Sequence, residues 1–316
     1  MQRIWLALFS FAFLPAAWAS AEVATVPMEL VKLGPHSYFV QGQPGAASSA
    51  NEGFMSNAGF VVTRDGVVVF DALASPPLAQ KLAGLIRTVT RQPIRRVIVS
   101  HYHADHFYGL QVFKAMGAEI WAHRAAEGAT RTEDAALRLT QRREALFPWV
   151  DEKTQLLEAD HFVEGDLDFE MGGVKFALRH VGPAHSSEDL ALMVRNDGVL
   201  FAGDLVFRGR VPFVGDADSA GWIAAMDKLI VLKPKLLVPG HGSPSRSPGA
   251  DLVFTRDYLK FLRAEMGKAA RDMVPFEEAY EKTDWSKYRF MPAFNEANRT
   301  NAYNQYLRLE QEGLAE

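Results

Sequence analysis

The sequence contains no cysteine, which excludes disulfide bonds and thiolate metal ligands. It also has no internal repeat and no low-complexity tract. Its formal net charge of -4 argues against a nucleic-acid partner, because proteins that bind phosphate backbones normally carry a basic face. What remains is a chain of 316 residues, 48% of them hydrophobic, which is enough for one large core in a layered α/β domain. Without disulfide bonds, the packing of this core must supply much of the stability of the fold.

Residues 1–19 have the three parts of a secretory signal peptide. These are an early positive charge, the apolar run Ile4–Leu14, which is too short to span a bilayer, and the small-x-small site Ala17-Trp18-Ala19. We expect cleavage after Ala19 or Ala21 and no stable membrane insertion afterwards; an uncleaved membrane anchor is the alternative. A cysteine-free exported chain suits the bacterial periplasm, so we expect the mature protein to be located there. We expect residues 20–316 to form a single domain.

Turn and capping signals predict the order of strands and helices. Asp65-Gly66 joins two short apolar runs as a hairpin, and Ser75 followed by two prolines predicts the start of a helix. Further helices are predicted around Glu127–Leu146 and, within a C-terminal helical extension over residues 248–316, at Asp251–Met266 and Glu296–Glu312. Strands followed by helices, twice over, predict two sheets packed face to face with helices outside.

Four metal-competent side chains lie within six residues, directly after the apolar run Val97–Ser100; they are His101, His103, Asp105 and His106. Three imidazoles and a carboxylate this close repel one another once charged and cost free energy when desolvated. A cation offsets that cost, because neutral imidazole nitrogen and ionised carboxylate are good ligands for zinc-class ions. The cluster therefore indicates a metal site rather than a solvated polar loop.

Three single residues further along the chain complete the pattern, namely His185, Asp204 and His241. Each follows an apolar stretch that reads as a strand and is flanked by glycine, or by glycine and proline, so that the chain can turn and present the side chain at a sheet edge. Together with the cluster they supply enough ligands for two metals. In this order the motifs resemble the metallo-β-lactamase superfamily, over roughly Leu30 to Gly242.

The resemblance implies an α/β fold, the four-layer αββα sandwich, with the metals at one sheet edge. It implies that one metal is held by His101, His103 and His185, the second by Asp105, His106 and His241, and that Asp204 bridges the two. A hydroxide between the two ions would be the nucleophile. Asp105 would orient it or shuttle its proton, which makes Asp105 the candidate catalytic residue.

The same resemblance favours two zinc ions per chain. His103 stands where oxygen-reducing di-iron relatives typically carry glutamate, which weighs against that redox chemistry. Persulfide-oxidising iron relatives keep all of these histidines, so iron stays the alternative. Asp204 occupies the position at which some β-lactamases of this superfamily use cysteine.

The predicted function is an exported binuclear zinc hydrolase that cleaves a small-molecule ester, thioester or amide. A β-lactam hydrolase is one alternative. The other is an accessory protein of a periplasmic sulfur-oxidation or quinoprotein redox system, in which metals only stabilise the fold. This second alternative arises because the segment from Leu200 to Ser219, with Trp222, is similar to exported metallohydrolases associated with such systems.

Several neighbouring residues have two interpretations each. Residues 41–57 are small and polar, and form either a flexible hairpin loop or a flap that brings Phe54 and Met55 to the substrate. Tyr102 and Tyr108 either pack in the core or donate to a developing oxyanion. Residues predicted for either a pocket rim or surface turns are Arg208, Arg210 and Asp216. Histidines predicted for surface or packing positions are His36, His123, His161 and His180, with support of a metal ligand as the alternative for His180.

Overall fold

A computed structural model describes residues 23–215 and 217–315, so the predicted signal peptide and Asp216 lie outside the described residues. Two β-sheets pack face to face, and helices cover both outer faces. This is the predicted αββα sandwich. None of the helices in the described part of the chain combines the length and the apolar content needed to cross a membrane.

The first sheet has seven strands whose order in space follows the chain. They are β1 (Leu30–Lys32), β2 (Ser37–Val40), β3 (Ala58–Thr63), β4 (Gly66–Phe70), β5 (Ile94–Ile98), β6 (Glu119–His123) and β7 (His161–Val163). Pairing is antiparallel from β1 to β4 and parallel from β4 to β7. The parallel part needs crossovers, which are made by α1 (Pro76–Val89), α2 (Ala104–Phe107), α3 (Leu110–Ala115) and α4 (Glu133–Leu146).

The second sheet has five strands in the order β12-β11-β10-β9-β8. They are β8 (Leu167–Met171), β9 (Val174–His180), β10 (Leu190–Val194), β11 (Val199–Phe201) and β12 (Leu236–Val238). Helix α5 (Ser219–Val231) connects β11 to β12, which run parallel. Three more helices follow: α6 (Pro248–Arg271), α7 (Phe276–Lys282) and α8 (Arg299–Ala315).

Local signals in the sequence explain how two of these elements begin. The predicted hairpin joins β3 to β4, where the Thr63 hydroxyl accepts from the amide of Asp65 and donates to the carbonyl of Gly66. Gly66 has a φ of +145°, which favours glycine. Ser75 caps α1 as predicted, because its side chain accepts from the amide of Leu78.

Apolar side chains form three layers, one between each pair of neighbouring backbone layers. Between the sheets, residues such as Phe70 and Phe201 meet with ring centroids 5.8 Å apart. Outside the first sheet, α1 and α3 bury residues such as Leu82 against it. Outside the second sheet, α5, α6 and α8 bury residues such as Trp222 and Leu259. The C-terminal helices thus pack over the outer face of the second sheet.

The helix predicted around Glu127–Leu146 is shorter than expected. Two short 3-10 turns, Arg124–Ala126 and Ala129–Arg131, precede it, and α4 begins only at Glu133. Gly128 separates the two turns with a φ of +83°, a conformation that interrupts a right-handed helix. Both predicted C-terminal helices are present, and the sequence reading did not foresee α7.

Candidate metal centre

All seven predicted ligands meet at one edge of the two sheets, because each follows the end of a strand: β5 for the cluster, then β9, β11 and β12. The first ligand group is His101, His103, His185 and Asp204, whose ligand atoms lie within 4.8 Å of one another. His103 Nδ1 lies 2.9 Å from His101 Nε2 and 3.0 Å from His185 Nε2. Asp204 Oδ2 lies 3.9 Å and 3.6 Å from those two Nε2 atoms.

The second ligand group is Asp105, His106 and His241. Asp105 Oδ2 lies 3.5 Å from His106 Nε2 and 3.3 Å from His241 Nε2. The other oxygen of Asp204, Oδ1, lies 3.2 Å and 3.3 Å from the same two nitrogen atoms. Asp204 therefore turns one carboxylate oxygen to each ligand group, as a bridging ligand would.

The donor set fits metal binding on a further observation. His106 Nε2 and Asp204 Oδ1 are buried and have no hydrogen-bond partner among the described residues. Buried polar atoms without partners cost free energy, and a cation between the ligand groups would remove that cost. Nitrogen and oxygen donors at these separations suit a zinc-class ion. A metal cofactor therefore belongs at this edge of the sheets.

Asp71 contacts one ligand group directly and the other through Ser100, a role that was not predicted from the sequence. It directly follows β4, with a φ of +67°, and its carboxylate accepts from the amide and the hydroxyl of Ser100 at 2.7 Å and 2.9 Å. The same carboxylate lies 2.8 Å from His106 Nδ1, while the Ser100 hydroxyl lies 2.9 Å from His101 Nδ1. The sequence did contain a signal for this role, because Asp71 is an acidic residue that follows a buried strand, as the predicted ligands do.

The segment 41–57 supports the second ligand group rather than covering the site with Phe54. Phe54 is fully buried in the core, so the predicted substrate contact of this residue is wrong. The carbonyl of Met55 lies 2.9 Å from His241 Nδ1, and the Ser56 hydroxyl donates to the carbonyl of Asp105 at 2.5 Å. Asn57 donates through its backbone to Gly240, next to His241, at 2.7 Å.

Two aromatic rings pack against two of the predicted ligands. Phe207 stacks on His241, with ring centroids 5.1 Å apart and an angle of 3° between the planes. Trp222 meets His185 edge-on at 5.3 Å, and its indole nitrogen donates to the carbonyl of Leu205. Both supporting rings are themselves buried, so they restrict the orientation of the imidazoles.

The two ligand groups differ in ionisation. Burial lowers the pKa of His185 to about 3, and burial together with the neighbouring imidazoles holds the pKa of His101 well below its usual range. Burial alone would lower the pKa of His241, but the carboxylates of Asp204 and Asp105 raise it to about 9. At neutral pH and without metal, His185 and His101 are therefore neutral and ready to coordinate, whereas His241 carries a proton.

A cleft of about 660 Å³ reaches the first ligand group at His103 and His185. Its other walls come from the residues after β5, from α4, from the segment before α5 and from α8. Tyr102 and Tyr108 line this cleft but are largely buried in the core, and Tyr102 packs on Phe107 with ring centroids 4.7 Å apart. These contacts favour the packing interpretation for both tyrosines.

Arg208 and Arg210 are not among the residues that line the cleft. The guanidinium group of Arg208 bonds to Asp251 at 3.1 Å and to the hydroxyl of Ser243 at 2.5 Å. It therefore ties the loop after β12 to α6, and its predicted position at a pocket rim is wrong. Arg210 lies over the ring of Phe207, 5.9 Å from its centroid. Asp216, predicted beside them, lies outside the described residues.

The remaining histidines lie outside both ligand groups. His123 of β6 and His180 of β9 stack with ring centroids 3.4 Å apart, so they join the two sheets. His180 Nε2 also lies 3.2 Å from the carbonyl of Ser187, two residues after a predicted ligand. His36 pairs with Asp197 at 2.8 Å. His161 is half exposed and lies 3.7 Å from Glu119.

The part of the chain that contains these ligand groups matches a known protein family. Residues 51–241 match the family model described as the Metallo-beta-lactamase superfamily. The chain belongs to this superfamily. The matched residues contain all seven predicted ligands and most strands of both sheets.

Individual relatives are distant and carry hydrolase names. The chain is 23% identical to the linear primary-alkylsulfatase of Pseudomonas sp. (strain ATCC 19151), over 69% of this chain and 48% of that protein. It is 24% identical to the metallo-beta-lactamase type 2 of Elizabethkingia meningoseptica, over 60% of this chain and 69% of that protein. The chain thus spans about half of the alkylsulfatase.

Among solved structures, the sec-alkylsulfatase Pisa1 from Pseudomonas sp. has a similar fold. The TM-score is 0.68 at 18% sequence identity, and the match covers 89% of this chain and 50% of that one. At this identity the likeness shows the fold alone.

Proposed function

We propose that this protein is an exported binuclear zinc hydrolase that cleaves a small ester, thioester or amide. The observation that carries the proposal is the position of Asp204, whose two oxygens face two separate ligand groups at 3.2–3.9 Å. When bound, two zinc ions would lower the pKa of a water molecule at the site and polarise the scissile carbonyl. No serine or cysteine nucleophile is then needed.

Asp105 is the proposed proton acceptor. Burial would raise the pKa of its carboxyl group, but His106 and His241 hold that pKa well below its usual range, so the group is ionised at neutral pH. Its side chain is also partly exposed, unlike those of His101 and His106. An ionised carboxylate that solvent reaches can accept and release a proton during turnover.

Esters and thioesters rank ahead of β-lactams as substrates. The ligand set consists of histidine and aspartate only, and Asp204 stands where some β-lactamases use cysteine. The alkylsulfatase relative adds sulfate esters to the ester class to be tested. β-Lactams remain the second candidate, because the type 2 metallo-beta-lactamase is among the relatives.

We propose the periplasm as the location and zinc rather than iron as the metal. The location is supported by the predicted signal peptide over residues 1–19 and by the absence of cysteine. A partnership with a periplasmic redox system is the less favoured proposal, since the complete ligand set supports catalysis. N-terminal sequencing of the exported protein should give Ser20 or Glu22 as the first residue, and an intact Met1 would contradict export with cleavage.

The function is tested by turnover on a panel of substrates with three forms of the protein. Zinc-loaded wild type should hydrolyse an aryl ester or a thioester faster than the cephalosporin nitrocefin. Asp204→Ala should retain less of the second metal and lose activity by orders of magnitude, since it removes a ligand from both groups. His161→Ala, at a half-exposed histidine outside both groups, should match wild type. Faster opening of nitrocefin than of any ester would reverse the order of the two candidates.

A further inference from the structure

One wall of the cleft is built by residues 211–215 and 217, here called the wall segment. The cleft-lining residues of the wall segment are Phe213, Val214, Gly215 and Ala217. Phe213 is 47% exposed, although the apolar side chains on either side of it in the chain are buried. A large aromatic ring left exposed within a cleft is positioned to contact a ligand rather than the core.

Helix α8 holds the wall segment through a buried side chain. Asn301 is fully buried; its Oδ1 accepts from the amide of Val214 at 2.9 Å and its Nδ2 donates to the carbonyl of Pro212 at 2.7 Å. These two bonds fix the backbone on either side of Phe213. A third bond, from Nδ2 to the Tyr258 hydroxyl at 2.9 Å, fixes Asn301 itself.

The same face of α8 also bonds to Ala217 of the wall segment and to the start of α5. Arg308 donates to the carbonyl of Ala217 at 3.2 Å, and Gln305 accepts from the hydroxyl of Ser219. Asn304 lines the cleft directly. Residues 301, 304, 305 and 308 recur at the spacing of a single helix face. Helix α8 is therefore part of the cleft wall and not only a cover for the second sheet.

The same cleft is also lined by other aromatic rings, those of Tyr102, Phe107 and Tyr108. We propose that Phe213 is a specificity-determining residue that contacts the apolar acyl chain of the substrate beyond its first carbons, and that Asn301 is the residue that positions it. The inference rests on the proposed hydrolase function, because it takes the cleft that reaches His103 and His185 as the substrate site. The substrate class becomes esters or thioesters with an alkyl or aromatic acyl group.

Two thioesters of one small thiol test this inference, an acetyl and a hexanoyl thioester. In Phe213→Ala, the ratio of kcat/KM for hexanoyl over acetyl should fall about tenfold, because the longer chain loses an apolar contact and the shorter one does not. Phe290→Ala is the matched control, since Phe290 is 82% exposed and does not line the cleft; its ratio should equal that of wild type. An unchanged ratio in Phe213→Ala would overturn the inference.

The role of Asn301 is tested by a double-mutant cycle. Asn301→Ala should lower the same ratio, and Asn301→Ala with Phe213→Ala should lower it no further than Phe213→Ala alone, because one residue acts through the other. Asn196→Ala is the control, because Asn196 is exposed, bonds to Lys175 and Gly173 and does not line the cleft; it should leave the ratio unchanged. If Asn301→Ala does not fold, Asn301→Ser replaces it, since it adds no buried charge and its shorter side chain cannot bond to both Val214 and Pro212. Additive effects would exclude the positioning role.

Calorimetric binding of hexanoate and acetate separates this inference from the proposed function. Both probes carry the same carboxylate, so the ratio of their affinities reports the apolar contact without any turnover. Phe213→Ala should lower that ratio about tenfold. If wild type hydrolyses neither thioester, the proposed function fails and the binding ratio alone decides the role of Phe213. If turnover occurs and neither ratio responds to Phe213→Ala, the inference fails and the hydrolase function stands.

Discussion

At the scale of single residues, the histidines of the two ligand groups differ in protonation before a metal binds. His101 and His185 are buried and His103 is half-buried, and removal from water lowers the pKa of each, so they present neutral nitrogen atoms. His106 and His241 face the carboxylates of Asp105 and Asp204, which raise their pKa values against the effect of burial. The second group must therefore release protons on metal binding, whereas the first need not.

This difference predicts how metal binding depends on pH. With the pKa of His241 raised to about 9, affinity for the second ion should rise by at least about tenfold per pH unit between roughly pH 6.5 and 8.5, because at least one proton leaves. Affinity for the first ion should change little over the same range, since the pKa of His185 is about 3. Calorimetric titration of metal-free protein with zinc at several pH values measures both. Equal pH dependence of the two ions would contradict the assignment.

Asp71 gives a second prediction at this scale. Asp71→Ala removes the carboxylate that contacts His106 Nδ1 and the Ser100 hydroxyl, so metal affinity should fall about 10–100-fold. Asp197→Ala is the control, because Asp197 is also an acid paired with a histidine, His36, but lies outside both ligand groups. Competition against a zinc chelator measures the affinity. A larger loss in Asp197→Ala than in Asp71→Ala would show that general destabilisation is responsible.

At the scale of elements, each predicted ligand follows the end of a strand, and the segment 41–57 forms hydrogen bonds with two of the ligand residues, Asp105 and His241. Asn57 connects this segment to the loop after β12, since its side chain accepts from the amide of Gly42 at 3.0 Å and donates to the carbonyls of Pro239 and Gly242, both at 2.8 Å. His241 lies between the last two. The loop that carries this ligand therefore depends on a segment almost 200 residues earlier in the chain.

Asn57→Ala should lower the free energy of unfolding by about 2–4 kcal/mol, because it leaves several buried backbone groups without partners. It should also weaken binding of the second ion more than that of the first, as His241 belongs to the second group. Denaturant unfolding and zinc titration measure these effects. Asn196→Ala, at an exposed asparagine bonded to the amide of Lys175, should change neither quantity appreciably; equal losses in both variants would contradict the role given to Asn57.

The sequence was informative where local chemistry decides the structure. The Asp65-Gly66 turn, the Ser75 cap and the glycine-flanked positions of His185, Asp204 and His241 could all be read locally. Contacts between distant segments could not. Nothing near Phe54 in the sequence indicates that it is buried in the core, and nothing near Arg208 indicates its bonds to Asp251 and Ser243. Those positions depend on which segments the two sheets bring together.

At the scale of the whole molecule, the sandwich places one edge of both sheets around the metal centre. The first sheet supplies the clustered ligands after β5, and the second supplies one ligand after each of β9, β11 and β12. The family match over residues 51–241 includes this centre but not α6, α7 and α8, which follow it. Since α8 shapes the cleft, substrate choice is expected to depend in part on a segment beyond the family match.

The most direct test of the account is a zinc titration of metal-free protein with thioester hydrolysis recorded at each step and bound metal measured by elemental analysis. We predict that activity reaches its maximum close to two zinc ions per chain, because seven ligands exceed what one tetrahedral ion can use. Full hydrolytic activity with one bound ion per chain would contradict the account, and so would a single bound iron with oxygen-dependent turnover in place of thioester hydrolysis.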